Sequence, residues 1–294
     1  MDVSNSWAMV TEMIKKTLLL ALLASCCFAS EVFQVKRSYH KSRFTPPYGP
    51  AKYYELKNEE NRYLVYFQWI HADAKHASAV VIGLPEPVFH DGWRNRDFLR
   101  LNVNGISSRQ VEPRNIRIEE QKLLIDYNFD GCLFTLEFFM DDNSPLLKLR
   151  LRRQSGGKEP KQLSIEFTAN PSRAGGKTTD FAREIISDTR SISKLGKRGY
   201  LPLTPQDRNF VLADRFYDNS DADRRSQGPC FLQVDWQNIT EGKVFLGQIN
   251  NVAFTFSLLP DAYEWNFAFL EIKRKCSNKD FLQYLQQKEI FVSP

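Results

Sequence analysis

The chain is poor in the residues that staple a small fold or build a familiar cofactor site, with five Cys and four His among 294 residues. Cys26 and Cys27 fall in an N-terminal apolar stretch, which leaves Cys132, Cys230 and Cys276, an odd number at wide spacing. That pattern excludes a disulfide framework and a Cys-based zinc site. One bridge among the three stays open, but Cys132 and Cys230 fall on apolar strand faces, so buried free thiols are the simpler expectation.

Charge of one sign is also lacking as a block. The net charge of +5 is spread in mixed-sign clusters, which gives no nucleic-acid footprint. No apolar run is long enough to cross a bilayer as a mature helix. There is no internal repeat and no low-complexity tract. A nucleotide-binding loop is absent too: Gly175-Gly176-Lys177-Thr178 matches the end of one, but Pro171 stands where its first Gly belongs, without the N–H and the freedom a phosphate cradle needs. No cofactor is expected.

What the chain does hold is aromatic residue and alternation. The hydrophobic share is 42% and the aromatic share 13%, with 22 Phe and 11 Tyr, a composition that excludes disorder and favours strands. The stretch from Asn115 to Thr168 reads as five consecutive strands with short turns. Leu123, Ile125 and Tyr127 alternate with Leu124, Asp126 and Asn128, and Asp130-Gly131 supplies a tight reversal. From Cys132 to Met140 the face Cys132/Phe134/Leu136/Phe138/Met140 is the core face. Leu147, Leu149 and Leu151 alternate with Lys148, Arg150 and Arg152, and Leu163, Ile165 and Phe167 with Ser164, Glu166 and Thr168. The basic row Lys148/Arg150/Arg152 can meet an acidic glycan or neighbouring acids. Cross-strand pairing with Glu137 and Glu166 is the reading adopted, and the row is left out of the candidate site.

Met13 to Ser30 (MIKKTLLLALLASCCFAS) has a short basic region, a Leu/Ala run and then small residues, the form of a bacterial export signal. Residues 1–12 ahead of it look like an overlong start. Two processing routes stay open: lipidation at Cys26 of Leu23-Ala24-Ser25-Cys26, or cleavage after Ala29. The expected domains are therefore 1–29 as signal with its doubtful upstream start and 30–294 as one β-sandwich domain, in the periplasm, the outer envelope or outside the cell. Contact with a membrane is expected only through that lipid anchor.

Further strands are expected at Val32 to Tyr39, Tyr63 to Ile70, Ser78 to Leu84, Phe98 to Val103, Asn209 to Ala213, Cys230 to Trp236, Lys243 to Gln248, Val252 to Leu259 and Tyr263 to Ile272. Tyr63 to Ile70 is apolar on both faces and reads as a central strand. Ala169 to Asp207 is irregular, with a short helix at Phe181 to Ser187, and serves as a crossover within one domain. Ser277 can cap a closing helix that carries Phe281, Leu282 and Leu285. About a dozen strands and one helix make an all-β chain, a large two-sheet antiparallel sandwich with a short C-terminal helix. With that rhythm, the acidic turn running into PLLKLRLR (Pro145 to Arg152) resembles the large sandwiches of the galactose-mutarotase-like type, which recur in carbohydrate-active bacterial proteins.

Functional residue types are densest at His90-Asp91-Gly92-Trp93-Arg94-Asn95-Arg96-Asp97. Trp93 can stack on a sugar ring while Asp91, Arg94, Asn95 and Asp97 bond its hydroxyls. The alternative is a loop whose Trp plugs the end of the sandwich. Asp261 and Glu264, beside Tyr263 and Trp265, are the best carboxylate pair for glycoside acid/base chemistry. His71, Asp73 and His76 follow no metal-ligand spacing, and Asp214, Asp218, Asp221 and Asp223 depart from a calcium loop and pair with Arg215, Arg224 and Arg225, so no metal is expected. Asn238-Ile239-Thr240 is a formal glycosylation sequon. The leading expectation is an exported carbohydrate-binding sandwich without catalysis, using His90, Asp91, Trp93, Arg94, Asn95 and Asp97. The alternatives are a carbohydrate-active enzyme, a glycoside hydrolase or epimerase working through acid/base carboxylates, and a structural envelope protein.

Overall fold

A computed structural model describes residues 30–35, 48–70, 79–83, 98–169, 183–193, 199–214, 229–246, 252–271 and 278–291. Strands dominate them, and every pairing is antiparallel. β1 (Glu31–Val35), β2 (Tyr48–Lys57), β3 (Arg62–Ile70), β4 (Ala79–Gly83) and β5 (Leu99–Val103) lie side by side in a first sheet, with the two-residue β6 (Ile106–Ser107) on β5. β7 (Asn115–Glu119), β8 (Lys122–Phe129), β9 (Cys132–Phe139) and β10 (Leu147–Arg153) form a meander in a second sheet.

After β10 the chain changes sheets, so the expected five-strand meander has four members. The loop of residues 154–162, which holds Gly156, Gly157 and Pro160, carries β11 (Leu163–Ala169) across to pair with β5. β12 (Arg183–Ser187) and β13 (Ser191–Ser193) belong to the second sheet, and β14 (Gly199–Leu203) to the first. Where a helix was expected from Phe181, β12 is a strand. Its Ile185 is buried in the main core, while Ile186 packs on the opposite side of the sheet, the two-sided burial of a strand residue pair. β15 (Asn209–Asp214) and β16 (Cys230–Val234) return to the second sheet, β17 (Ile239–Leu246) and β18 (Val252–Leu258) to the first, and β19 (Glu264–Leu270) to the second. The nine-stranded second sheet has the order β13-β12-β15-β16-β19-β10-β9-β8-β7, and the ten-stranded first sheet β1-β2-β3-β4-β5-β11-β18-β17-β14 with β6 off its path. Nineteen strands are described against about a dozen expected; the two-residue β6 and the short strands β12 to β14, at or near sheet edges, are among those with too little alternation to be read.

The core lies between the two sheets, filled by alternate residues of each. Leu101, Ile165, Phe167, Phe254 and Phe256 come from the first sheet, and Leu136, Phe138, Leu149, Trp265, Phe267 and Phe269 from the second. Phe167 meets Phe267 and Phe269 edge-on at 4.8 and 5.0 Å between centroids, a geometry that adds quadrupole attraction to burial. Cys132 and Cys230 are buried free thiols, and burial pushes the Cys230 thiol well above its ordinary range. At the β8–β9 hairpin, Asp130 and Gly131 have φ of 51° and 91°, the two positive values that a two-residue primed turn requires.

One helix, α1 (Asn278–Gln287), is described. It lies against the outer face of the second sheet: its buried Phe281 and Leu285 form a second core with Val211, Phe231, Ala268 and Leu270. Ser277, expected as its cap, lies outside the described residues.

Candidate functional site

The helix covers only one half of that outer face. The side chains that point outward change character at one level across three neighbouring strands. On β15 Val211 gives way to Asn209, on β16 Phe231 to Gln233, and on β19 Leu270 and Ala268 to Asn266 and Glu264. In-register pairing lines these up: Asn209 opposite Gln233, Gln233 opposite Ala268, Ala268 opposite Lys148, and Asn266 opposite Arg150. The polar half is the floor of an open groove of about 940 Å³. Pro205 and Arg208 line one side of it, residues 235–237 continue that wall, and Phe139 and Asp141 line the other.

The floor's side chains are held by one another. Gln233 Nε2 donates to Asn209 Oδ1 at 3.0 Å, and Asn209 Nδ2 donates to Asp188 Oδ1 at 2.9 Å. Asn266 Nδ2 donates to Glu264 Oε1 at 3.1 Å. Each amide thereby commits a donor to the protein, and Gln233 and Asn266 keep their carbonyl oxygens as acceptors. Arg150 lies 3.3 Å from Glu264, 3.7 Å from the buried Glu137, and 5.3 Å above the Phe139 ring. Arg152 reaches the other oxygen of Glu137 at 3.0 Å. Lys148 pairs with Asp141.

One wall rests on a buried carboxylate. Asp207 is fully buried and accepts hydrogen bonds from Ser187 Oγ at 2.6 Å, from Thr189 Oγ1, and from Thr204 Oγ1 at 2.9 Å, with Arg190 at 3.2 Å. Burial works against its charge, but the three hydroxyls and the Arg190 guanidinium outweigh it and hold the carboxyl below its ordinary value of 3.8. The Asp207 carbonyl accepts from Trp236 Nε1 at 2.8 Å, which ties the indole to the same wall, edge-on to Phe256.

One of the two partners expected for the basic row does not meet it. Glu166 lies in the first sheet and pairs with Arg100 at 3.1 Å, because β11 has crossed over, and Lys148 takes the turn residue Asp141 instead. Glu137 does pair with Arg150 and Arg152 as expected. Lys148 and Arg150 nonetheless line the groove, so the row left out of the candidate site is part of its floor. The signal for it was the loss of apolar character within each outward row, Phe231 to Gln233 and Leu270 to Asn266, which shows where a covering element stops.

Asp261 and Glu264 are not among the lining residues. Asp261 sits exposed in the turn after β18, its carbonyl accepting from Arg153, whose guanidinium stacks 4.3 Å above Tyr263. Glu264 is tied to Arg150 and Asn266. Asn238 of the sequon donates its amide to the Glu264 carbonyl at 2.8 Å. His90, Asp91, Trp93, Arg94, Asn95 and Asp97 lie outside the described residues, as do Cys26, Cys276, His71, Asp73, His76, the stretch Gly175 to Thr178 and the acids Asp218, Asp221 and Asp223. Among the described residues no three metal-ligating side chains are grouped to hold an ion, and no helix is long and apolar enough to cross a membrane.

No family model and no curated protein matches the chain. Among solved structures it is similar to a 4-alpha-glucanotransferase from Thermococcus litoralis, at 8% identity and a TM-score of 0.41, over 75% of this chain and 37% of that one. A GH36 alpha-galactosidase from Geobacillus stearothermophilus gives 11% identity and a TM-score of 0.40, over 74% and 39%. A second alpha-galactosidase of that organism, bound to 1-deoxygalactonojirimycin, gives 11% and 0.38, over 81% and 40%. The chain thus spans about two fifths of each, and at this degree of likeness their activities do not pass to it.

Proposed function

We propose that this is an exported protein that binds carbohydrate, without turning it over, in the groove on the outer face of its second sheet. The observation that carries the reading is the array of oriented amides on the groove floor. Asn266 presents an acceptor one strand from Lys148 and Arg150, and Gln233 presents another one strand further on. A sugar offers hydroxyls that donate and accept at neighbouring ring carbons, and such an array answers both. Phe139, beneath Arg150, adds apolar surface at the wall.

A binding role fits the groove's carboxylates. Asp141 is paired with Lys148, and Asp235 caps the short turn at Trp236 by accepting from the Gln237 amide at 3.1 Å. Export follows from the signal-like segment Met13 to Ser30. Glycan-array screening followed by calorimetry tests the reading. Gln233→Ala is expected to lower saccharide affinity about tenfold, the loss of one or two hydrogen bonds, with no product formed by wild type on prolonged incubation. Absence of binding to any saccharide, or unchanged affinity in Gln233→Ala, refutes it.

A further inference from the structure

Charge in the groove is unevenly matched. Of its three cations, Lys148 is paired with Asp141, and Arg150 sits between Glu137 and Glu264. Arg208 is different. Its backbone N–H donates to Asp188 Oδ2 at 2.7 Å, which fixes its backbone on the wall; the residue is exposed and lines the groove, and its guanidinium has no anionic partner among the described residues. Of the groove's two carboxylates, one neutralises Lys148 and the other is engaged by backbone at the head of the turn. Asn209, directly after Arg208, shares the same anchor and hands its order on to Gln233. An arginine on a wall beside a row of side-chain amides can bring a planar five-donor guanidinium to a carboxylate on a hydroxylated ring.

We propose that the groove is specific for acidic saccharides, uronate-containing glycans, and that Arg208 is the residue that selects their carboxylate. This rests on the carbohydrate reading above. Lys148 and Arg150, bound up in ion pairs, set the floor, and Arg208 supplies the contact that distinguishes an acid from its neutral counterpart.

The experiment compares full-length protein by calorimetry with oligouronates (oligogalacturonate, alginate and hyaluronan fragments), their methyl esters, and neutral oligosaccharides. Acidic oligomers are expected to bind at least about tenfold tighter than their esters, and that margin is expected to shrink with added salt. Arg208→Gln is expected to abolish the margin while leaving ester affinity within about twofold. Lys243→Gln, a cation of the other sheet over Tyr200, is expected to change neither. A panel in which neutral sugars or esters bind as tightly as acids overturns the selectivity and leaves the carbohydrate reading intact. Loss of margin in Lys243→Gln as much as in Arg208→Gln also overturns it, since net charge would then be the cause. No binding to any oligosaccharide overturns both.

Discussion

One sheet face carries two opposite solutions within the length of a strand. Where α1 covers it, Val211, Phe231 and Leu270 join Phe281 and Leu285 in a dry second core. A few residues further along the same three strands, Asn209, Gln233 and Asn266 face an open groove and are ordered by hydrogen bonds. The outer face therefore has two jobs. Burial stabilises the covered half through transfer of apolar surface, roughly 1.5–3 kcal/mol for each large side chain. The open half presents hydrogen-bonding side chains in place of buried apolar surface.

The largest effect is expected at the helix. Phe281→Ala removes a fully buried ring from the second core and is expected to cost about 3–5 kcal/mol in urea unfolding. If it cost under about 1 kcal/mol, the covered half would not be the stabilising one.

The wall of the groove is the exception on the open side, since Asp207 is buried there. Asp207→Ala strands the Ser187, Thr189 and Thr204 hydroxyls and is expected to cost about 3 kcal/mol at neutral pH. Its carboxyl titrates lower in the folded chain than in the unfolded one, so its contribution is complete above the ordinary value of 3.8 and is lost as pH falls through the lower folded value. The stability margin of wild type over Asp207→Asn should therefore narrow on acidification below pH 3.8 and stay flat above it. A smaller effect is expected at Gly242. A Cβ there would stand 2.5 Å from the Trp236 ring, so Gly242→Ala must displace the indole, at about 1–3 kcal/mol and with a shift in tryptophan fluorescence.

The sandwich was legible because its inner faces alternate strictly, as in Leu147/Leu149/Leu151 and Trp265/Phe267/Phe269. The C-terminal helix was legible from Phe281, Leu282 and Leu285. The groove was not, for two physical reasons. Its floor joins residues from four strands far apart in sequence, Lys148, Asn209, Gln233 and Asn266, whose adjacency is set only by sheet order. The basic row also had an adequate local explanation in Glu137, which proved true of Arg150 and Arg152 without preventing Arg150 from lining the groove. The crossover at residues 154–162 went unread because Leu163 to Thr168 has the same alternation whichever sheet receives it.

The smallest stability change is the sharpest test of the two-job account. Asn266 stands on β19 two positions from Ala268 and four from Leu270, pointing to the same side. It donates to Glu264 and faces the groove, with backbone pairing to β10 that does not depend on its side chain. Asn266→Ala is therefore expected to change unfolding free energy by less than about 0.5 kcal/mol, as for a surface substitution, while it removes an acceptor from the groove floor proposed to bind saccharide. The same truncation under the helix, Leu270→Ala, is expected to cost about 2–5 kcal/mol. Two outward residues of one strand would then divide cleanly, one moving the urea midpoint and the other the binding isotherm. Equal midpoint shifts for the two would mean that the groove half is structural as well.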